Sequence, residues 1–327
     1  MHGKNNMKIG IVILNYDGRS LLQECLPSIL DASKRSRHKC SVTVIDNASS
    51  DDSIIFLEKN FSEVYIDKRT DNRVLCGFNG LLERCDDDIC ILLNNDMKVD
   101  PDFVDPLVDV FDLEKNAFLA VPKIMSFDGS RCESGRGRTG IRYGMFWSIS
   151  RYPGYEKDID KASVTSHSAN GAFNRKRFVS LGGFDDLYLP GIMEDADLCF
   201  RAYKKGFKCY YQPKSVIYHK GRESFKKVFR EKKIDELAHR NTFLFMWKNI
   251  ADKRILAVHV FFLIPRILYS IIAGKVEFVR GFFRAITKFP EAMNKRKAVL
   301  GERACKTDAE IFREIGHNSK DTFNGKA

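Results

Sequence analysis

The sequence feature that most constrains the fold is a short apolar run, residues 89–93, that ends in Asn94, Asn95 and Asp96. An apolar run bounded by polar residues is typical of a strand buried on both faces of a sheet. In an open α/β sheet, ligands bind outside the carboxyl ends of the strands. One carboxylate and two amides at such an end suit a hard divalent cation that also binds phosphate oxygens. A plain strand-to-helix loop is the alternative, because Asp100-Pro101 is a typical helix start.

The first 225 residues alternate strands with helices about every 15 to 25 residues, which indicates a three-layer α/β sheet. Strands are predicted at residues 8–15, 41–46, 64–66, 89–93, 119–123, 209–211 and 216–218, with a break at Pro213 between the last two. Residues 126–144 are rich in Gly, Ser and Arg, and they predict a mobile segment over one end of the sheet.

Polar residues follow three of these strands: Asn15 and Tyr16, Asp46 and Asn47, and Asn95 and Asp96. Three strand ends that face one crevice are typical of a nucleotide site. No Gly-x-Gly-x-x-Gly follows the first strand and no Gly-Lys-Ser/Thr loop is present, which argues against a dinucleotide enzyme and a P-loop NTPase.

A second polar group, Glu194, Asp195 and Asp197, begins a predicted helix, and His219 ends a predicted strand. Carboxylates in a first helical turn are favoured by the helix dipole whether or not they have another function. A lone histidine is also often structural. Both groups are therefore candidates for function with a structural alternative.

Six segments in this order and spacing resemble glycosyltransferase family 2, whose enzymes have the GT-A fold and use nucleotide sugars. They are VILNY (12–16), VIDNAS (44–49), LLNND (92–96), GGFD (182–185), EDADLCFR (194–201) and PKSVIYH (213–219). The resemblance covers about residues 8–225. Within the family, the sequence most resembles the rhamnosyltransferase-like subgroup, which builds bacterial surface polysaccharides.

This resemblance implies a set of residues that bind the nucleotide sugar: Asn15, Tyr16, Asp46, Asn47, Asn72, Asn79, Asn95, Asp96, Gly171 and Ala172. It implies that Asp96 and His219 bind Mn²⁺ or Mg²⁺. Asn94 replaces the first carboxylate of the family's Asp-x-Asp, and Val74 stands where the family usually has Gly. These departures leave an inactive glycosyltransferase-like scaffold as an alternative.

The resemblance further implies an inverting reaction in which Asp195, with Glu194 beside it, forms the catalytic group. Asp195 would take the proton of the acceptor hydroxyl as that oxygen attacks C1 of the sugar. The metal would stabilise the leaving diphosphate as a Lewis acid. We expect a UDP- or dTDP-sugar as donor and a glycan or lipid-linked glycan as acceptor.

Charge is distributed unevenly along the chain. Residues 1–195 have 25 Lys and Arg against 30 Asp and Glu, whereas residues 196–327 have 29 Lys and Arg against 13 Asp and Glu. The basic second part predicts an anionic partner, either nucleic acid or anionic lipid. Nucleic acid is disfavoured, because aliphatic runs interrupt the basic residues and no nucleic-acid-binding motif is present. We therefore divide the chain into a catalytic domain (1–225), a basic helical extension (226–305) and a loosely ordered polar tail (306–327).

Within the extension, the apolar runs 255–264 and 267–274 are separated at Pro265 and are each too short to span a bilayer. Residues 277–289 predict a basic amphipathic helix rich in Phe, which is typical of the membrane interface. The alternative is a helical hairpin packed on its own domain or on a second subunit of a homo-oligomer. Nine scattered cysteines without a CxxC pair favour a reduced, cytoplasmic protein at the inner surface of the membrane.

Overall fold

The computed structural model describes residues 7–221, 231–301 and 304–316. The strands are β1 Lys8–Asn15, β2 Lys39–Asp46, β3 Tyr65–Lys68, β4 Ile89–Asn94, β5 Met97–Val99, β6 Ala117–Ser126, β7 Cys132–Ser134, β8 Arg138–Arg142, β9 Met145–Ile149, β10 Ser163–Val164, β11 Gly171–Asn174 and β12 Lys208–His219. The helices are α1 Arg19–Arg35, α2 Ser53–Asn60, α3 Gly77–Arg84, α4 Val104–Leu113, α5 Arg175–Ser180, α6 Glu194–Lys204, α7 Glu231–Asn249, α8 Lys253–Ile272, α9 Val276–Thr287, α10 Phe289–Gly301 and α11 Asp308–Ile315.

A mixed sheet with the strand order β10-β12-β6-β11-β4-β1-β2-β3 forms the centre of the fold. The strands β3, β2, β1 and β4 are parallel, whereas β11 is antiparallel to both β4 and β6. The register pairs Asn15 with Asp46 and Leu14 with Asn94. The carboxyl ends of β1, β2 and β4 are therefore level, and their polar residues lie side by side.

Helices cover both faces of this sheet, as the alternation of strands and helices predicts. On β1, Ile11 packs in one core with Leu26 of α1, and Val12 packs in the other core with Leu82 of α3 and Leu198 of α6. Alternate residues of a strand point to opposite faces, so each face receives half of the apolar side chains. The three-layer α/β prediction is confirmed.

The strand β12 differs from the prediction, because it is one strand rather than two. Its pairing with β6 shifts between Gln212 and Val216, on either side of Pro213. Proline has no N–H to donate to a neighbouring strand, and a bulge removes the need for one. The strand continues past the bulge to His219, which pairs with Met97 of β5 and Ser126 of β6.

Residues 126–144 also differ from the prediction of a mobile segment. β7 pairs with β6, and β8 forms an antiparallel hairpin with β9. The hairpin is held by Phe146, whose ring lies 4.2 Å from that of Phe245 on α7. Its turn at Gly144 accepts a hydrogen bond from Nδ1 of His259 on α8, with 2.7 Å between the atoms. Aromatic packing against the C-terminal helices thus orders a segment whose own composition is typical of a loop.

The helix α9 contains most of the predicted amphipathic segment, and it packs on its own chain. Phe278 and Phe282 are each 8% exposed and lie in the same core as residues of α7. A Cβ at Gly281 would lie 2.8 Å from the carbonyl oxygen of Glu236, so the two helices are in close contact. Part of the apolar side of α9 is therefore occupied by the protein itself, whereas Phe283 and Ile286 stay exposed at 58% and 46%.

The helix α8 runs without a break through Pro265, and the prediction of two short apolar segments is wrong. One face of α8 is apolar and exposed, with Val258, Val260, Phe261, Ile264, Leu268, Tyr269, Ile271 and Ile272 all at least 42% accessible. In the described part of the chain it is the one helix whose length and composition would allow it to cross a membrane. A single such helix is weak evidence of a span, because core helices and signal sequences have the same composition.

The expectation of a loosely ordered tail is wrong for the residues of α11. Thr307 caps this helix together with Glu310, and Ile311 is fully buried. The carboxylate of Asp308 lies 2.8 Å from Nζ of Lys204 on α6. The boundary predicted after residue 225 lies outside the described residues, and the division into three parts stays a prediction.

Candidate active site

The carboxyl ends of β1, β2 and β4 form a buried polar cluster. Nδ2 of Asn15 donates to Oδ1 of Asp46 at 2.9 Å, and Nδ2 of Asn95 donates to Oδ1 of Asn15 at 2.7 Å. The second carboxylate oxygen of Asp46 accepts from the backbone N–H of Ser49 at 3.0 Å. None of Asn15, Asp46 and Asn95 is more than 4% exposed. The structure therefore brings three of the predicted nucleotide-binding residues together in one hydrogen-bonded unit.

Gly18 is part of this cluster, although the sequence motifs did not point to it. A Cβ at this position would lie 1.9 Å from Nδ2 of Asn95 and 2.6 Å from Oδ1 of Asn15. The backbone φ of Gly18 is −122°, so the need for glycine comes from the close approach rather than from strain. The Asp17-Gly18 pair directly after a strand is the only signal for it in the sequence.

A second group beside the cluster contains Asn47, Asn72 and Val74. Nδ2 of Asn47 donates to the carbonyl of Val74 at 3.1 Å and lies 3.3 Å from Oδ1 of Asn72. Val74 has a φ of 43°, a conformation that is unusual for a β-branched residue. The resemblance implied a Gly at this position, and the positive φ of Val74 is a conformation that Gly adopts without strain.

Some of the predicted residues have other partners. The amide of Asn79 bonds both the N–H and the carbonyl of Phe184, at 2.9 and 2.8 Å. Gly171 and Ala172 lie buried in β11, and Ala172 is fully covered. The adjacent Asn170 was not predicted, and its Oδ1 accepts from the backbone N–H of Asn94 at 3.1 Å. Tyr16 follows β1 and is half-buried.

Asp96 and His219 are brought together by the pairing of β5 with β12. Nε2 of His219 lies 3.3 Å from Oδ2 of Asp96, and Nδ1 lies 3.3 Å from Oε2 of Glu133. Burial would lower the pKa of His219, but the hydrogen bonds and charges of Asp96 and Glu133 outweigh burial and raise it. Oδ1 of Asp96 is buried and has no hydrogen-bond partner within the described residues. A free carboxylate oxygen beside an imidazole nitrogen fits a divalent cation.

The acidic group lies at the start of α6, after Ile192 and Met193, which both have positive φ angles of 76° and 83°. Oδ1 of Asp195 accepts from the N–H of Ala196 at 2.8 Å, and Oδ2 lies 3.8 Å from Nε2 of His167. Backbone strain of this kind is typical of functional sites. Asp195 remains partly exposed and can meet a ligand.

Glu194, the neighbouring carboxyl, has a different environment. It is 1% exposed, and its Oε1 has no hydrogen-bond partner in the described parts of the chain. Burial raises the pKa of Glu194 to about 8, so this side chain is mainly a neutral acid at pH 7. Glu194 is therefore closed to solvent, whereas the adjacent Asp195 is partly exposed.

Asp197 has a structural environment. It is fully buried and lies 2.7 Å from Nζ of Lys248 on α7 and 2.8 Å from Nε of Arg201. Nδ2 of Asn249 donates to the same carboxylate at 2.7 Å. Burial would raise the pKa of Asp197, but the cationic partners hold it below its ordinary value. This buried network fixes α7 against α6.

The same helix α7 holds the loop that precedes α6. Nδ2 of Asn241 lies within 3.0 Å of the carbonyl oxygens of Tyr188, Gly191 and Ile192, and Nη2 of Arg240 donates to Tyr188 at 3.0 Å. The sequence motifs did not identify these two side chains, which lie about 50 residues after the loop. They hold the loop that leads into α6, on which Asp195 lies.

Comparison with known proteins agrees with this geometry. Residues 6–233 match the family described as "Glycosyltransferase like family 2", which is more than half of the chain. The chain therefore belongs to glycosyltransferase family 2, and it is a glycosyltransferase. A search of curated proteins found no match.

Solved structures with the same fold are GT-A glycosyltransferases of low sequence identity, which confirms the GT-A prediction. S. aureus TarS residues 1–349 in complex with UDP-GlcNAc is 13% identical with a TM-score of 0.55, covering 94% of this chain and 90% of that one. GalNAc-T7 with UDP, GalNAc and Mn²⁺ is 16% identical with a TM-score of 0.54, covering 83% of this chain. The match spans only 58% of the GalNAc-T7 chain. PcManGT of Pyrobaculum calidifontis, in complex with GDP-Man and Mn²⁺, is 12% identical with a TM-score of 0.50, covering 91% and 75%.

Proposed function

We propose that this protein transfers a sugar from a UDP- or dTDP-sugar to a hydroxyl of a glycan or lipid-linked glycan, with inversion and with a divalent metal. The observation that carries the proposal is the pair of Asp96 and His219 beside the buried cluster of Asn15, Asp46 and Asn95. More specifically, we propose a rhamnosyltransferase-like role in cell-surface polysaccharide synthesis, on the cytoplasmic side of the membrane.

The donor diphosphate is proposed to bind at Asp96 and His219 together with Mn²⁺ or Mg²⁺. The residues fit such an ion, because one oxygen of Asp96 is buried without a partner among the residues that the structure describes, and Nε2 of His219 faces the same carboxylate. When bound, the metal supplies a Lewis acid for the charge on the leaving diphosphate. An imidazole ligand favours Mn²⁺ over Mg²⁺, which prefers oxygen ligands.

Asp195 is proposed as the general base, and Oδ2 is the atom that takes the proton of the acceptor hydroxyl. Its other oxygen is bound to its own helix, which fixes the orientation of the carboxylate. Glu194 stays neutral beside it, so Asp195 does not share the site with a second negative charge at neutral pH. A base in this position contributes about 10²–10⁴-fold in rate.

Two variants test this function. In Asp195→Asn, transfer is expected to fall by about 10²–10⁴-fold, while UDP with Mn²⁺ still raises the unfolding temperature. In Asp96→Ala, stabilisation by the nucleotide is expected to lose its dependence on the metal. If Asp195→Asn transfers sugar at the wild-type rate, the base assignment is wrong. If no nucleoside diphosphate stabilises the wild-type chain with or without Mn²⁺, an inactive scaffold is the better description.

We also propose that the exposed apolar face of α8 contacts an anionic membrane surface, which gives access to a lipid-linked acceptor. This face has large side chains such as Phe261 and Ile264, at 73% and 67% exposure, and the exposed Lys253 and Arg254 at its start can meet anionic headgroups. The alternative is that a second copy of the chain packs on this face.

Flotation of the full chain with anionic vesicles tests the membrane contact. Binding is expected for the wild type and is expected to be lost when Phe261 and Ile264 are both replaced by Glu. Ile55→Glu on α2 is the matched control, because Ile55 is also apolar and 68% exposed. Absence of wild-type binding, with a dimer in solution that the double variant disrupts, would favour the second copy instead.

A further inference from the structure

Glu133 is a third side chain at the pair formed by Asp96 and His219. It lies on β7, where Cys132 pairs with Met125 and Ser134 pairs with Ile124, so that Glu133 is the extra residue at an irregularity in the pairing. A bulge of this kind redirects a side chain, and bulges are common next to active sites. The bulge therefore accounts for a carboxylate that leaves the regular alternation of the strand.

The carboxylates of Glu133 and Asp96 contact different nitrogens of the same ring. Oε2 of Glu133 lies 3.3 Å from Nδ1 of His219, whereas Oδ2 of Asp96 lies 3.3 Å from Nε2. The two nitrogens point away from each other, so Glu133 lies on the side of the ring opposite to Asp96. Glu133 is itself held, because Oε1 accepts from Nη2 of Arg131 at 3.1 Å.

We propose that Glu133 is a positioning residue that holds His219 by Nδ1, so that Nε2 stays directed at Asp96 and at the metal position between them. This inference rests on the proposed metal-dependent function. A histidine that binds a metal through one nitrogen needs the other N–H fixed by an acceptor, because that bond sets both the tautomer and the angle of the ring. Glu133 supplies this acceptor without occupying the position of a metal ligand.

The test compares the affinity of three variants for Mn²⁺ in the presence of UDP, measured by the electron paramagnetic resonance signal of free Mn²⁺. Glu133→Ala is expected to weaken Mn²⁺ binding about 10- to 100-fold. Glu133→Gln keeps an oxygen acceptor for Nδ1–H, and we expect it to stay within a few-fold of the wild type. Glu24→Ala is the control for charge, because Glu24 pairs with Lys220, the residue after His219, rather than with His219 itself.

Two results would overturn the proposal. Unchanged Mn²⁺ affinity in Glu133→Ala would show that the ring does not need this carboxylate. A loss in Glu133→Gln as large as that in Glu133→Ala would show that the charge of Glu133 acts directly, as a metal ligand does.

A measurement without metal separates this proposal from the proposed function. In metal-free protein, the Nδ1–H proton of His219 is expected to exchange slowly in the nuclear magnetic resonance spectrum of the wild type, and to be lost from it in Glu133→Ala. If the wild type binds no Mn²⁺ with UDP, the metal-dependent function fails, while this proton signal still decides whether Glu133 holds the ring. A signal that is the same in both proteins refutes the positioning role.

Discussion

Replacement of Glu194 by Gln should change how the stability of the protein depends on pH. Glu194 is 1% exposed, and burial raises its pKa from 4.5 to about 8. Between these pH values the folded protein keeps a proton that the unfolded chain releases. The contribution of Glu194 to stability is therefore fully present below its pKa in the unfolded chain. That contribution is lost as the pH rises to and through its pKa in the folded protein.

The size of the effect follows from the shift. One pKa unit corresponds to about 1.4 kcal/mol, so ionisation of buried Glu194 costs at most about 5 kcal/mol at alkaline pH. Water that enters around the charge reduces this cost, and we expect about 2–5 kcal/mol. Gln has nearly the shape of the protonated acid and does not ionise. The variant should therefore match the wild type near pH 5 and be more stable by this amount near pH 9.

The assay is urea unfolding of both proteins at several pH values from about pH 5 to about pH 9, because the difference between the two curves removes the contribution of all other groups. Glu58→Gln is the control, since Glu58 is an exposed carboxylate that pairs with Lys68 on the surface. The free energy of unfolding of this control should change with pH in the same way as that of the wild type. A parallel curve for Glu194→Gln would refute the reasoning, because it would mean that Glu194 is already ionised in the folded protein at neutral pH.

Three further variants test the packing around the site. Lys248→Met leaves the buried Asp197 with fewer cationic partners and should cost about 3–5 kcal/mol in urea unfolding; a cost below about 1 kcal/mol would contradict the buried network. Gly18→Ala places a methyl group against Asn95, so it should lower the free energy of unfolding by about 1–3 kcal/mol and weaken UDP binding in a titration. An unchanged affinity for UDP would mean that this cluster does not bind the donor. Asn241→Leu removes the donor to three loop carbonyls and should lower the transfer rate with little change in UDP affinity; equal loss of both would contradict a role confined to the loop.

Local pattern was sufficient to predict the ends of the central strands. Asn15, Asp46 and Asn95 lie at or directly after the ends of three short apolar runs, and parallel strands with level ends bring such residues together. The prediction that they are neighbours therefore needed no knowledge of the packing. The role of His219 as a metal ligand came only from the resemblance to a family, because a histidine at a strand end is more often structural.

The residues that sequence reasoning missed are those whose role depends on a distant partner. Glu133 meets His219 across 86 residues, and Asn241 meets Tyr188 across 53. No periodicity or motif in the sequence around either residue predicts the contact. Such contacts are set by tertiary packing, and single-sequence patterns report only the burial and the secondary structure of each segment.

Proline misled the prediction in two places for the same reason. Pro213 and Pro265 each remove one backbone donor, and the sequence rule treats this loss as the end of an element. In β12 a bulge at Pro213 removes the need for the donor. In α8 the carbonyl of Phe261 loses its usual donor, and the helix nevertheless continues through Pro265. A proline therefore removes one backbone donor without always ending the strand or helix that contains it.

The part of the chain that presents the candidate base is larger than the part that the family match covers. The match ends at residue 233, whereas Asn241 and Lys248 lie beyond it on α7. These two side chains hold the loop before α6 and the carboxylate of Asp197 within it. The buried polar cluster of Asn15, Asp46 and Asn95, by contrast, is built entirely from β1, β2, β4 and the turns after them. It follows that the buried polar cluster is held by the sheet alone, whereas the loop before the candidate base is also held by α7.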